Sequence, residues 1–144
     1  MKSRAAVLLL VLTVAGCGGA VQLTPPAPEG AAVAACAELG SLLPETLGGA
    51  ARGATEPVSP YTAVWGEGEM ALRCGVPRPA RMQATDQLME LDGVGWFADP
   101  TTPTLFTAVT DLAYVEMTIG REHSAPSVLM KLSAPINRAL PQGG

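Results

Sequence analysis

The stretch Trp65-Gly66-Glu67-Gly68-Glu69-Met70-Ala71-Leu72-Arg73-Cys74-Gly75-Val76-Pro77 constrains the fold of this chain more than any other. Two short strand-like runs, Tyr61 to Trp65 and Met70 to Cys74, flank Gly66-Glu67-Gly68, which is the signature of a β-hairpin. Side chains alternate across a strand, so Met70, Leu72 and Cys74 share one face while Ala71 and Arg73 point the other way. Cys74 therefore belongs to the apolar face. Bulky core residues are scarce here: aromatics make up 4 % of the chain, against 16 glycines and 13 prolines in 144 residues. Burial alone stabilises so small a domain only marginally, which makes a covalent link physically useful.

The N-terminus supplies the compartment. Lys2 and Arg4 precede an apolar run, Ala5 to Leu12, that closes in Thr13-Val14-Ala15-Gly16-Cys17. A basic start, a short apolar core and a small-residue exit describe a secretory signal over residues 1–16. The run falls short of the roughly 20 apolar residues that a membrane-spanning helix needs. Val14-Ala15-Gly16-Cys17 resembles the bacterial lipobox, and that resemblance implies cleavage before Cys17 and a diacylglyceryl thioether on it. An uncleaved signal anchor is the competing reading. With Cys17 taken by lipid, Cys36 and Cys74 remain as an even pair in an oxidising compartment, the outer face of the cytoplasmic membrane. Loss of Lys2 and Arg4 moves the formal charge from −4 to −6. Such acidity argues against nucleic acid as a partner and against electrostatic attachment to anionic lipid. Membrane attachment then rests on the acyl chains.

Residues 17–30 are predicted to form the lipidated end and a Pro-rich tether. Pro25, Pro26 and Pro28 favour extended geometry, so the 13 residues from Gly18 to Gly30 could span about 40 Å and hold the domain off the membrane. A single domain occupies residues 31–144. Ala31 to Leu43 is predicted helical, with Cys36, Leu39 and Leu43 on one face and Pro44 as its stop. Gly48-Gly49 through Pro60 reads as an irregular connection. Gln87 to Leu91 and Val94 to Phe97 flank Asp92-Gly93, a dipeptide suited to a tight hairpin turn; a single strand bulged at Gly93 is the alternative. Thr104 to Val109 and Ala113 to Ile119 follow as strands. Ser124 is placed to cap a last helix whose stripe is Leu129, Leu132, Ile136 and Leu140. Pro135 sits inside that stripe and should cost about 3 kcal/mol or impose a kink; Ser133 could instead cap a separate last turn.

At Trp65-Gly66 and Leu72-Arg73-Cys74-Gly75-Val76-Pro77 the chain resembles an actinobacterial lipoprotein family known as domain of unknown function 3515. Cys36-Ala37-Glu38-Leu39 with Leu43-Pro44, Val94-Gly95-Trp96-Phe97 and Tyr114-Val115-Glu116-Met117 extend the resemblance over roughly Ala35 to Leu140. It implies a secreted, membrane-tethered domain and brings no activity with it.

Candidate chemistry is thin. His123, the only histidine, stands between Glu122 and Ser124, but sequence neighbours rarely assemble a relay, and a solvated loop histidine is the plainer expectation. Asp86, Glu90 and Asp92 lack the spacing of a calcium loop and read as a solvated face. One histidine and two bridging cysteines leave a zinc site short of ligands, so no metal or cofactor is expected. Trp65 and Trp96, if exposed, could stack on a sugar or anchor a partner, with Arg73 and Arg78 (and Arg81) receiving an anionic group; burial in the core is the competing reading. The expected fold is α+β: an antiparallel sheet of about five strands, both terminal helices on one face, and a Cys36–Cys74 bridge between the first helix and the hairpin. The expected role is non-catalytic, an interaction or accessory module for another envelope protein. The alternative is a glycan- or small-ligand-binding lipoprotein using Trp65, Trp96 and Arg73.

Overall fold

The computed structural model describes residues 18–142. The expected signal peptide and Cys17 lie outside the described residues. In chain order the elements are β1 (Val21–Gln22), α1 (Ala31–Leu42), β2 (Thr46–Leu47), β3 (Ala50–Ala51), β4 (Thr55–Glu56), β5 (Thr62–Trp65), β6 (Met70–Val76), β7 (Met89–Leu91), β8 (Val94–Ala98), β9 (Leu105–Val109), β10 (Tyr114–Ile119) and α2 (Ala125–Ala139). The α+β expectation holds. The main sheet has six antiparallel strands in the order β5-β6-β10-β9-β8-β7. The connection expected to be irregular, residues 48–60, carries the short strands β3 and β4; β3 pairs with β2, and Arg52 bridges to Trp65.

Both hairpins form. In β6 the residues Met70, Leu72, Cys74 and Val76 are buried while Ala71, Arg73 and Gly75 are half-buried, the alternation expected of a strand with one core face. The turn at Asp92-Gly93 has φ of 47° and 81°, the left-handed pair that a two-residue hairpin turn demands, so the bulged-strand alternative does not apply.

Both helices pack on the same face of the sheet. α1 buries Ala32, Ala35, Cys36 and Leu39, and stops at Leu43 because the residue before Pro44 is driven to extended geometry. Cys36 and Cys74 are bonded, with a Cα–Cα distance of 5.5 Å, and join α1 to β6. Gly40 packs directly on the carbonyl oxygen of Pro60, where a Cβ would overlap it. Gly40→Ala should therefore destabilise the domain by about 1–3 kcal/mol, although alanine is intrinsically the better helix former by about 1 kcal/mol. A urea midpoint equal to or above that of the wild type would contradict this packing.

α2 runs through Pro135 as one helix, so the alternative of a separate last turn does not apply. Leu129, Leu132, Ile136 and Leu140 are all fully buried, and their burial on both sides of the proline offsets its missing N–H. Ser133 caps nothing: it is fully buried, and its hydroxyl is shared between the carbonyls of Leu91 (2.9 Å) and Leu129 (3.1 Å). Ser124 occupies the N-cap position, but its hydroxyl meets that of Ser127 at 3.1 Å and makes no capping bond to the backbone.

The opposite face of the sheet is covered by chain rather than helix, and here the tether expectation is corrected. β1 pairs in parallel with β4, and the N–H groups of Val21 and Leu23 donate to the carbonyls of Ala54 and Glu56. Further along, Arg73 Nη1 donates to the Thr24 carbonyl at 3.4 Å. Pro28 rests on Gly75, where a Cβ would stand 2.6 Å from the proline ring. Residues 21–28 thus run along β6 from its head near Gly68 to Gly75 near its foot. The prolines favour the extended backbone a free spacer would have, but the sheet gives that backbone hydrogen bonds and a surface.

Candidate functional site

The described side chains gather titratable groups in one place, where the β5–β6 turn meets the link between β10 and α2. The backbone holds the two segments together: Gly120 N donates to the Glu69 carbonyl at 2.8 Å, and His123 N to the Gly120 carbonyl at 3.0 Å. His123 Nε2 then lies 2.8 Å from Glu69 Oε2 and 3.9 Å from Glu122 Oε1. The imidazole is 12 % exposed, against 46 % for Glu69 and 58 % for Glu122. The expectation of a solvated loop histidine is thereby corrected, because folding β6 beside β10 delivers a carboxylate from 54 residues away.

One donor atom from each of these three residues lies within 4.8 Å of the others, and they are the one group of three such side chains among the described residues. A histidine nitrogen and two carboxylates suit a divalent cation. The 2.8 Å contact between Nε2 and Glu69 is instead that of a charge-assisted hydrogen bond, which occupies the nitrogen a metal would need. Nδ1 stands beside Gly48, where an added Cβ would lie 3.0 Å from it. A cavity of about 230 Å³ adjoins the histidine, lined by Ser124, Ser127, Val128 and Lys131 as well. Glu122–His123–Ser124 form no relay, since the histidine bonds Glu69 and the serine bonds Ser127.

The other candidates are dispersed. Trp65 and Trp96 are both fully buried, so neither indole is available to stack on a sugar or a partner. Trp65 Nε1 donates to the Pro44 carbonyl at 2.9 Å, whereas Trp96 Nε1 has no hydrogen-bond partner. Arg73 is half-buried and ion-paired with Glu116 at 2.8 Å, the residue directly opposite it on β10. Arg78 donates to the Met82 carbonyl at 2.9 Å. With both indoles in the core and both guanidinium groups engaged, the expected binding surface does not assemble. Asp86 accepts from Gln83 N, Glu90 is exposed on β7 and Asp92 occupies a turn; the three carboxylates form no cluster. Asp99 is held below the ordinary carboxylate range, first by the Thr101 N–H, then by the Thr101 hydroxyl, with the Thr102 N–H and Arg81 adding to it. Its role is to pin the loop between β8 and β9.

A cleft of about 450 Å³ lies at the other end of the sheet, between Ala27–Glu29 and the β9–β10 turn, Thr110 to Tyr114. Leu112, 40 % exposed, stands on its rim. Among the described residues no helix is long and apolar enough to cross a membrane.

A family model described as Protein of unknown function (DUF3515) matches residues 5–144. No curated protein and no solved structure matches the chain.

Proposed function

The chain belongs to the DUF3515 family, and from that premise we propose that it is an extracytoplasmic lipoprotein, anchored through a diacylglyceryl group on Cys17, that acts as a non-catalytic docking module for another envelope protein. The order of charges, apolar run and small residues before Cys17 supports the anchor. The Cys36–Cys74 bond fits a domain that matures in an oxidising compartment.

The observation that carries the non-catalytic reading is the engagement of the one histidine. Its Nε2 is taken by Glu69, and the adjacent serine is taken by Ser127, so neither faces the other as base and nucleophile. The cleft at the Thr110–Tyr114 end is the surface we assign to the partner, because it is a concavity of about 450 Å³ that carries an exposed leucine. Burial of Trp65 and Trp96 leaves the glycan-binding alternative without its stacking platforms.

The test is a pull-down from detergent-solubilised native envelope with the lipidated, disulfide-intact protein as bait, run beside Leu112→Asp. We expect one specific co-purifying protein that Leu112→Asp loses, and Cys17→Ala should release the chain from the membrane fraction. Recovery of the same protein by both baits would move the contact away from the cleft. An empty lane for both would count against the docking role.

A further inference from the structure

The structure fixes where an anchor at Cys17 would attach, and we infer that the domain is held flush against the lipid headgroup layer with its β5–β6-turn end facing the bilayer. The inference rests on the proposed lipidation of Cys17. Its basis is the length of chain between that residue and the first backbone bond to the domain. Val21 N already donates to Ala54 O, and the Val21 side chain lies against Gly68 in the β5–β6 turn. Four peptide units separate Cys17 from Val21, a reach of at most about 14 Å when fully extended. A free spacer from Gly18 to Gly30 would reach about 40 Å and let the domain turn in any direction.

Polarity follows from the path of the segment. Residues 21–28 run from Gly68 toward Gly75, so the N-terminal segment leaves the domain at the turn end. Glu67, Glu69, Arg121, Glu122 and His123 share that end. With Lys131 lining the cavity beside Glu122 and His123, the charges of that end are of mixed sign and exert no strong pull toward an anionic leaflet, and at physiological ionic strength what remains is screened within about 8 Å. Closeness is therefore imposed by the covalent link rather than by charge. The cleft between Ala27–Glu29 and Thr110–Tyr114 lies at the far end, beyond the length of β10, which at about 3.4 Å per residue is about 20 Å. It opens away from the membrane, where a partner of the envelope can enter it.

The test uses the full lipidated chain in phosphatidylethanolamine–phosphatidylglycerol vesicles carrying a headgroup-linked energy acceptor. A donor dye goes on Glu67→Cys or on Leu112→Cys, both exposed positions, and in the mature protein the introduced cysteine is the one free thiol. We expect roughly threefold more energy transfer from position 67 than from position 112, given the separation of about 20 Å. A flexible Gly/Ser insertion between Gly18 and Gly19, where an added Cβ would meet nothing within 4 Å, should erase that difference. Equal transfer from both positions in protein that floats with the vesicles keeps the anchor and overturns the orientation. Failure of the unmodified chain to float overturns the anchor itself, and the orientation with it.

Discussion

Replacing both bridging cysteines, Cys36→Ala with Cys74→Ala, is expected to lower the stability of the domain by about 4 kcal/mol, the loop-closure value for residues 38 apart. Against a total of roughly 5–15 kcal/mol for a domain of this kind, that is a large share. For a domain of this length the loss corresponds to a melting temperature lower by about 15 °C. Both positions are buried, at 0 % and 1 % exposure, so alanine avoids leaving a hydroxyl without a partner in the core. Differential scanning calorimetry of oxidised wild type, reduced wild type and the double variant reads the effect three ways. Agreement between the reduced and double-variant melts would assign the loss to the bond itself. A melt unchanged by both treatments would show that the packing of α1 on β6 suffices without it.

Trp65→Ala should cost about 3–5 kcal/mol, since it removes the largest class of core side chain from a site with no exposure. Part of that loss comes from the Pro44 carbonyl, which gives up its 2.9 Å bond from the indole. Phenylalanine substitutions separate the two contributions. Trp65→Phe keeps most of the packing but abandons that carbonyl, whereas Trp96→Phe removes an N–H that has no acceptor. Trp96→Phe should therefore be the milder change by about 1 kcal/mol or more in equilibrium urea unfolding. If Trp96→Phe proves the costlier of the two, the Trp96 N–H contributes to stability and is not an unpaired group.

Local signals carried most of the fold. The alternation in Met70–Val76 and in Tyr114–Ile119, the Asp92-Gly93 turn, and the stripe Leu129, Leu132, Ile136 and Leu140 are all written within a few residues of one another. Cysteine arithmetic supplied the one long-range contact legible in advance. The candidate site was not legible, because Glu69 meets His123 only once β6 and β10 are neighbours, and that adjacency depends on the chain passing through three intervening strands, β7, β8 and β9, before β10 returns beside β6. Had Glu116 and Arg73 been read as a cross-strand pair, both outward-facing and of opposite charge, the adjacency would have followed from it. The path of residues 21–28 was hidden for a different reason. Proline sets an extended backbone whether the segment crosses solvent or lies on a sheet, so composition cannot separate the two. Tryptophan near a turn is equally silent about whether it is buried.

The laid-down N-terminal segment also determines how this domain bears force. A pull on the chain ahead of Val21 lies along β1, so the β1–β4 hydrogen bonds are loaded in shear, together, rather than peeled one after another. Should they yield, unravelling passes through Pro28 and the first turn of α1 and then stops. At Cys36 the load crosses a covalent bond into β6, which is flanked on both sides by paired strands. Tension reaching the rest of the molecule is thus delivered to an interior strand, and the extension available before that point is set by the residues from 18 to 35.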